Sequence, residues 1–188
     1  MSALNLLGIS GSLRAASTNT LLAREAARRF GEAEFTLADI RFPLFDADLQ
    51  AEEGIPEAVQ TVADQIAAAD AVVIATPEYN KGITGVLKNA LDWISRTEGN
   101  PWLHKPVAIM SAAAGRAGGE RSQNMTRLCL TPFRPRLLTG PEVMIAATKD
   151  QWDESGHLTN AFGIKLLDEL MGDLRAEAIL MRAQVVNP

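Results

Sequence analysis

The segment 8–20, with the sequence GISGSLRAASTNT, carries more hydrogen-bonding side chains than a turn between a strand and a helix requires. It contains five hydroxyl residues, one arginine and two glycines, with no lysine and no acid. Hydroxyl groups, a guanidinium and the free N–H groups at the start of a helix are donors that bind phosphate. The pattern favours a site for a terminal phosphate monoester over an ordinary helix cap. The candidate ligands are Ser12, Arg14, Ser17, Asn19 and Thr20.

The spacing of the glycines excludes two common nucleotide-binding motifs in this segment. A nucleoside triphosphate loop has the pattern G-x-x-x-x-G-K-[ST], and no lysine is present here. A dinucleotide fingerprint has the pattern G-x-G-x-x-G, whereas Gly8 and Gly11 are separated by two residues and no third glycine follows.

Two later segments also follow apolar runs and contain unusual residues. In 76–85, TPEYNKGITG, the positions of Tyr79 and Asn80 suit contact with a ligand ring; a polar turn with Glu78 as a solvated charge is the alternative. In 111–121, SAAAGRAGGER, three glycines within five residues allow a flat ligand to approach the backbone, and a flexible helix start is an equal alternative. Together the three segments favour a pocket for a flat mononucleotide.

The apolar periodicity predicts alternating strands and helices, and hence one α/β domain over 1–188 with a parallel sheet covered on both faces. In such a sheet, ligands bind at the carboxyl ends of the strands, where all three segments would lie. The last helix carries Phe162, Leu166, Leu170 and Leu174 at intervals of four. Strands are predicted at 4–9, 35–40, 71–75, 106–111 and 143–147, and helices at 18–30, from Pro56 onward, at 83–94, at about 120–129 and at 158–183.

Composition excludes several classes of function. With 18 basic and 23 acidic residues the net charge is -5, so we expect no nucleic acid partner. A single cysteine, Cys129, excludes an internal disulfide and a cysteine-based zinc site, and His104 and His157 are expected to have no catalytic or metal role. No apolar run approaches the roughly 20 residues that cross a bilayer, and no signal peptide pattern is visible. These features predict a cytoplasmic protein.

The motifs GSLRAASTN and TPEYNKGITGVLKNALDW resemble those of the NAD(P)H-dependent FMN reductase family, which includes chromate, quinone and azo-compound reductases. The resemblance extends over about 4–121. It implies a flavodoxin-like three-layer sandwich with a five-stranded parallel sheet of order 2-1-3-4-5, FMN as cofactor and NADPH or NADH as electron donor. It also implies a small-molecule acceptor and a homodimer or homotetramer. The implied ligands of the FMN phosphate are the five candidates given above, Ser12, Arg14, Ser17, Asn19 and Thr20. The ring and ribityl chain would meet Pro77, Glu78, Tyr79, Asn80, Ser111 and Gly115.

The implied chemistry is a two-electron hydride transfer through the flavin N5 atom, with no side chain acting as a nucleophile. A flavodoxin-type electron carrier without turnover is the alternative, although Tyr79 as the only tyrosine would leave its aromatic sandwich incomplete. A response regulator is excluded, because its acid cluster is missing from 8–20. We expect the subunit contact at the face of the 83–94 helix and the segment around Trp93, whose own side chain lies either in the core or at that contact. Trp102 and Trp152 are expected either at a subunit contact or at the substrate mouth.

Overall fold

The structure is a computed structural model that describes residues 3–186. Strands and helices alternate along most of this range, as the apolar periodicity predicts. The strands are β1 (Leu4–Ser10), β2 (Ala33–Leu37), β3 (Ala71–Ala75), β4 (Pro106–Ala112), β5 (Arg136–Leu137) and β6 (Val143–Ile145). The helices are α1 (Thr18–Phe30), α2 (Ala47–Glu53), α3 (Glu57–Ala68), α4 (Gly85–Ile94), α5 (Glu120–Leu130) and α6 (Ala161–Val186).

The strands form one sheet of order β2-β1-β3-β4-β5, in which β6 also pairs with β4. Each pairing among the described strands is parallel. The two-residue β5 pairs with the start of β4 and β6 pairs with its end, so the two occupy successive halves of one edge. The predicted order 2-1-3-4-5 is confirmed, with β6 as the predicted fifth strand; the short β5 was not predicted.

Helices cover both faces of the sheet and make the three layers of a flavodoxin-like fold. Side chains of α1 and α6 pack with one face, and side chains of α3, α4 and the end of α5 pack with the other. Neighbouring residues of a central strand serve opposite faces, as Val72 and Val73 do. All five residues of β3 are buried, as expected for a parallel sheet covered on both sides.

The sequence pattern predicted the first residue of α1 correctly, but it predicted the bounds of other elements less accurately. Ser17 caps α1, since its Oγ accepts a hydrogen bond from the backbone N–H of Thr20 at 3.3 Å. The second strand begins earlier and ends earlier than predicted. The short helix α2, capped by Asp46, was not predicted. Pro56 is the cap residue before α3 and not its first helical residue.

The prediction of an apolar row at intervals of four along α6 is wrong at its first position. Phe162 is 71% exposed, whereas Leu170 and Leu174 are buried. A step of four residues turns a helix by about 400°, so three such steps rotate the row by roughly 120° around the axis. The buried row instead follows the spacing i, i+3, i+4, i+7 and i+11, through Leu167, Leu170, Met171, Leu174 and Ala178.

Trp93, expected in the core or at a subunit contact, and Trp102, expected at a subunit contact or the substrate mouth, both lie in the core. Trp93 is 0% exposed, donates from Nε1 to the carbonyl of Pro43 at 2.8 Å and packs edge-on against Phe45. Trp102 is also 0% exposed. The apolar face of α4 is covered by the same core, so the predicted contact through this helix face and Trp93 is wrong. Periodicity identifies a buried face but does not say whether the same chain or another one buries it.

Candidate functional site

A cavity of about 600 Å³ lies at the carboxyl edge of the sheet. The loops after β1, β3 and β4 contribute to it as predicted, and the segment after β6 contributes as well. Eight of the eleven predicted site residues line it: Ser12, Arg14, Ser17, Asn19, Pro77, Glu78, Tyr79 and Gly115. The other lining residues are Ala16, Thr18, Ala112, Ala113, Ala114, Ala117, Gly118, Gly119, Thr148, Lys149 and Trp152.

The loop after β1 presents donors to this cavity around the N-terminus of α1. Its backbone is fixed by Gly11, whose N–H donates to the carbonyl of Ala75 at 2.8 Å and whose carbonyl accepts from Thr84 Oγ1 at 2.8 Å. The guanidinium of Arg14 is exposed and has no hydrogen bond or ion pair with any residue in 3–186. Arg14 and the first N–H groups of α1 are therefore available to an anion.

Two polar residues of this loop connect elements of the protein to one another. The side chain of Asn19 is buried and makes a two-way bridge to Ala112: Nδ2 donates to its carbonyl at 2.8 Å, and Oδ1 accepts from its N–H at 2.9 Å. Thr20 does not line the cavity, and its Oγ1 donates to Ser10 Oγ at 2.9 Å. These bonds hold the start of α1 against the ends of β1 and β4.

The loop after β3 contains a tight turn at the rim of the cavity. Tyr79 and Gly82 exchange backbone hydrogen bonds of 3.2 and 3.0 Å. The two residues between them, Asn80 and Lys81, have positive φ values of 50° and 66°, as a type I′ turn requires. Tyr79 is 52% exposed at the rim, whereas the exposed Asn80, a predicted site residue, does not line the cavity.

Glu78 joins the loop after β3 to the start of α5. Its Oε2 accepts from the backbone N–H of Arg121 at 3.1 Å, and its Oε1 lies 3.5 Å from Arg121 Nη1. Gly119, the cap residue of α5, has no side chain to satisfy these N–H groups. Glu78 therefore supplies the missing acceptor from a distant loop and is not simply a solvated charge.

Ser111 lies beneath the cavity and supports the loop after β4. It is fully buried; its Oγ donates to the carbonyl of Gly118 at 2.6 Å and accepts from Gln123 Nε2 at 2.8 Å. Gln123 Nε2 also donates to the carbonyl of Val143 at 2.9 Å. Sequence reasoning missed Gln123, although a polar residue among the buried positions of α5 is a signal for such a network.

Two of the three glycines of this loop are required by close packing. Gly118 and Gly119 have φ values of 61° and 99°. A Cβ atom at Gly118 would lie 2.8 Å from the Cβ of Met144, and one at Gly119 would lie 2.7 Å from the Cβ of Ser111. A Cβ atom at Gly115 would meet nothing within 4 Å. The backbone at 118–119 is thus packed directly on its neighbours, and the interpretation as a merely flexible helix start does not hold there.

The fourth contribution comes from Thr148, Lys149 and Trp152. Sequence reasoning missed Thr148 and Lys149, whereas the substrate mouth was one of the two places expected for Trp152. These residues follow β6, whose carboxyl end lies at the same edge of the sheet, so the rule that selected the other loops also applies to them. Trp152 packs on the core formed by α1 and α6, and Lys149 is exposed.

The segment after β6 is attached to α1 around a buried carboxylate. Glu25, whose side chain is 2% exposed, binds Arg28 Nε at 2.8 Å and Arg29 Nε at 2.7 Å, and lies 3.4 Å from His157 Nδ1. Arg28 also donates to the carbonyl of Gly156 at 3.0 Å. Burial acts to raise the pKa of Glu25, but the hydrogen bonds and charges of the two arginines outweigh it and hold the pKa below its ordinary value.

Glu25→Gln is expected to lower the free energy of unfolding at pH 7 by about 1–3 kcal/mol, because charge-assisted hydrogen bonds weaken. A carboxyl with a depressed pKa stabilises the folded state above its unfolded pKa and loses that effect as the pH falls through its folded pKa. The difference in stability between the variant and the wild type should therefore shrink as the pH falls below the ordinary pKa of a glutamate, about 4.3. Urea unfolding at pH 7 and pH 3, with the exposed Glu34→Gln as control, measures this. A deficit that is the same at both pH values would contradict it.

A family model of NADPH-dependent FMN reductase matches residues 4–150, more than three quarters of the chain. The chain belongs to this family. The prediction from the two sequence motifs is confirmed, and the chain is a member of an oxidoreductase family. The matched range includes the loops after β1, β3 and β4 and ends two residues before Trp152.

Relatives similar to this chain carry related names. It is 41% identical over 174 residues to an NAD(P)H-dependent FMN reductase of Pseudomonas aeruginosa, covering 92% of this chain and 94% of that protein. It is 39% identical over 179 residues to a quinone reductase of Escherichia coli, covering 92% and 93%. The solved flavoenzyme FerB of Paracoccus denitrificans, an NAD(P)H:(acceptor) oxidoreductase, is 30% identical with a TM-score of 0.83, covering 93% of this chain and 97% of that one.

Among residues 3–186, no helix combines the length and the apolar character needed to cross a membrane.

Proposed function

We propose that this chain binds FMN at the cavity and is an NAD(P)H-dependent reductase that passes two electrons to a small-molecule acceptor. The observation that carries the proposal is the cavity itself. It combines unpaired phosphate donors at the start of α1 with a wall of small residues after β4. Membership of the FMN reductase family supports the same function.

The residues present fit the chemical groups of FMN. Arg14, Ser12 and the N-terminus of α1 suit the terminal phosphate. The alanine and glycine residues 112–115 suit a flat ring, because their side chains are too small to hold it away. The N–H groups of Ala112 and Ala113 already donate within the protein, to Asn19 and Ile145. Pro77 and Tyr79 lie on the loop after β3 and also line the cavity. A volume of about 600 Å³ lies within the usual range for cofactor sites.

Bound FMN supplies the redox chemistry, accepting a hydride from the nicotinamide and delivering two electrons to the acceptor. The protein supplies binding and orientation. The arginine and the dipole of α1 fix the phosphate end, and the rigid backbone at 118–119 fixes the shape of the loop after β4. Glu78 does not abstract a proton in this scheme: its carboxylate is engaged at the start of α5 and keeps two walls of the site together.

A quinone is the first acceptor class to test, since the relatives named above include a quinone reductase. Azo compounds, free flavin and metal oxyanions remain further candidates that an exposed ring could reduce. Tyr79 at the rim is half exposed and offers an aromatic surface to a planar acceptor. The proposed location of this reaction is the cytoplasm.

We also propose a homodimer or homotetramer, with a contact different from the predicted one. Met125 and Leu128 on α5 are 41% and 71% exposed, and Met125 lies against Gly82 and Ile83 next to the rim turn. Apolar side chains at this position would be covered by a second copy that also shields the site. Light scattering should give a dimer or larger for the wild type and a smaller species for Leu128→Glu. Leu180→Glu on α6, 49% exposed, is the control. A monomeric wild type would contradict the proposal.

The experiment that tests the proposed function follows the flavin spectrum without oxygen. The purified chain is loaded with FMN, and NADPH or NADH is added. We expect the visible absorption of the flavin to bleach within seconds, with one NAD(P)H oxidised per flavin, and to return when a quinone is added. Bound flavin that NAD(P)H does not reduce would indicate the electron carrier instead. A chain that retains no FMN would overturn the proposal.

A further inference from the structure

Two cations without partners line the same cavity from different parts of the chain. Arg14 follows β1 and Lys149 follows β6. Neither side chain forms a hydrogen bond or an ion pair with the rest of the described range, 3–186. Glu78, which also lines the cavity, is engaged by Arg121. A chain with a net charge of -5 thus keeps two uncompensated positive charges at one site, which favours a ligand with about two negative charges.

The segment that carries Lys149 is folded on itself and attached to α1; we call residues 148–159 the clamp. Within it, Trp152 pairs with Leu158 as an antiparallel bridge, and Asp153 Oδ1 accepts from the N–H of His157 at 2.8 Å. The attachment to α1 runs through Gly156 and His157, by way of Arg28 and Glu25. The clamp therefore holds Lys149 in a defined place relative to the helix whose N-terminus carries Ser17.

Trp152 of the clamp also lines the cavity and carries a donor without a partner among the described residues. The indole Nε1 of Trp152 is buried and has no acceptor among the described residues, while its side chain lines the cavity. A buried N–H without an acceptor is unfavourable, and an oxygen atom of a ligand would satisfy it. Trp102 also has an unpartnered Nε1, but it belongs to the core on the other face and does not line the cavity.

We propose that the clamp completes the phosphate site: Lys149 pairs with the terminal phosphate of FMN together with Arg14, and the Trp152 indole donates to an oxygen of the same cofactor. This inference rests on the proposed function. A phosphate monoester carries about -1.5 to -2 charges at pH 7, so a single guanidinium leaves it partly uncompensated. A flexible ammonium group serves as a second point charge, and the N-terminus of α1 adds its partial charge.

The test titrates the flavin-free protein with FMN and with riboflavin, which lacks the phosphate, and follows flavin fluorescence. Lys149→Met is expected to raise the Kd of FMN about tenfold and to leave that of riboflavin within about twofold. This loss of FMN affinity should be smaller in 0.5 M NaCl, because salt screens the attraction between Lys149 and the phosphate. Lys149→Arg should restore most of the affinity. The exposed Lys165→Met on α6 makes the same change of net charge and should alter neither Kd.

Other results would overturn the inference. If Lys149→Met weakened the binding of FMN and riboflavin equally, Lys149 would act on the loop or on the flavin ring and not on the phosphate. An unchanged Kd of FMN with a raised KM for NADPH would assign Lys149 to the nicotinamide nucleotide. An unchanged Kd of FMN in Trp152→Phe would show that the Trp152 indole does not donate a hydrogen bond to the cofactor. A wild-type protein that binds neither flavin would instead refute the proposed function, so the two failures are distinguishable.

Discussion

Gly119→Ala is expected to lower the free energy of unfolding of the flavin-free protein by about 2–4 kcal/mol. Gly119 has a φ of 99°, a conformation that costs a residue with a side chain about 1–3 kcal/mol. The new methyl group would also lie 2.7 Å from the Cβ of Ser111, in a buried position where overpacking costs about 1–3 kcal/mol. Both costs arise at the start of α5, which has no side-chain cap on its own segment.

Gly115→Ala in the same loop is the matched control. A Cβ atom at Gly115 meets nothing within 4 Å, and its φ is not in the left-handed region, so the change in the free energy of unfolding should stay within about 0.5 kcal/mol. Thermal unfolding separates the two variants, because 1 kcal/mol corresponds to roughly 2–4 °C in Tm for a chain of this length. Equal stability of the two variants would show that the backbone at 118–119 adapts to a side chain.

Arg14→Met is expected to weaken FMN binding about 10- to 100-fold while leaving riboflavin binding nearly unchanged. The guanidinium lines the cavity without a protein partner, so its removal leaves no buried charge behind and costs only the bonds to the phosphate. Charge-assisted hydrogen bonds contribute about 1.5–3 kcal/mol, and each 1.4 kcal/mol is a tenfold change in Kd. Titration of the flavin-free protein with both flavins at low and high salt measures the effect.

Arg24→Met on α1 is the control for net charge. Arg24 is exposed, does not line the cavity, and should leave both Kd values unchanged. If Arg14→Met weakened riboflavin as much as FMN, the arginine would act on the ring or on the loop and not on the phosphate. If neither flavin were affected, the loop after β1 would not be the phosphate site, and Ser12 and Ser17 would lose that role as well.

The sequence alone predicted the family and, through that resemblance, the sheet order, and it indicated which polar residues lie next to the start of α1. These features depend on short segments: the buried strand β3 is a continuous apolar run, and Ser17 caps the helix that follows it directly. Hydroxyl groups next to a helix start lie near its free N–H groups in any fold, so a local pattern is sufficient to identify them.

Only the tertiary structure decided which polar groups face the cavity and which hold its walls. Ser111 and Asn19 were equivalent to Ser12 in the sequence, yet their bonds to Gly118 and Ala112 join segments of the protein to one another. Glu78 meets Arg121 across 43 positions of the chain. Such contacts depend on how distant strands and helices pack together. The period of apolar residues along one strand or helix, 2 or 3.6 residues, contains no information about that packing.

The same reason explains the tryptophans. Trp93 has the spacing of an apolar helix face whether the core or a second subunit covers it, and here the core does. Trp152 and Lys149 belong to no recognisable sequence motif. They lie at the cavity because β6 ends at the same edge of the sheet as β1, β3 and β4. The attachment of the clamp to α1 through Arg28 and Glu25 also holds them there. Local sequence therefore determined the chemistry available to this site, and packing between distant segments decided which residues were brought to it.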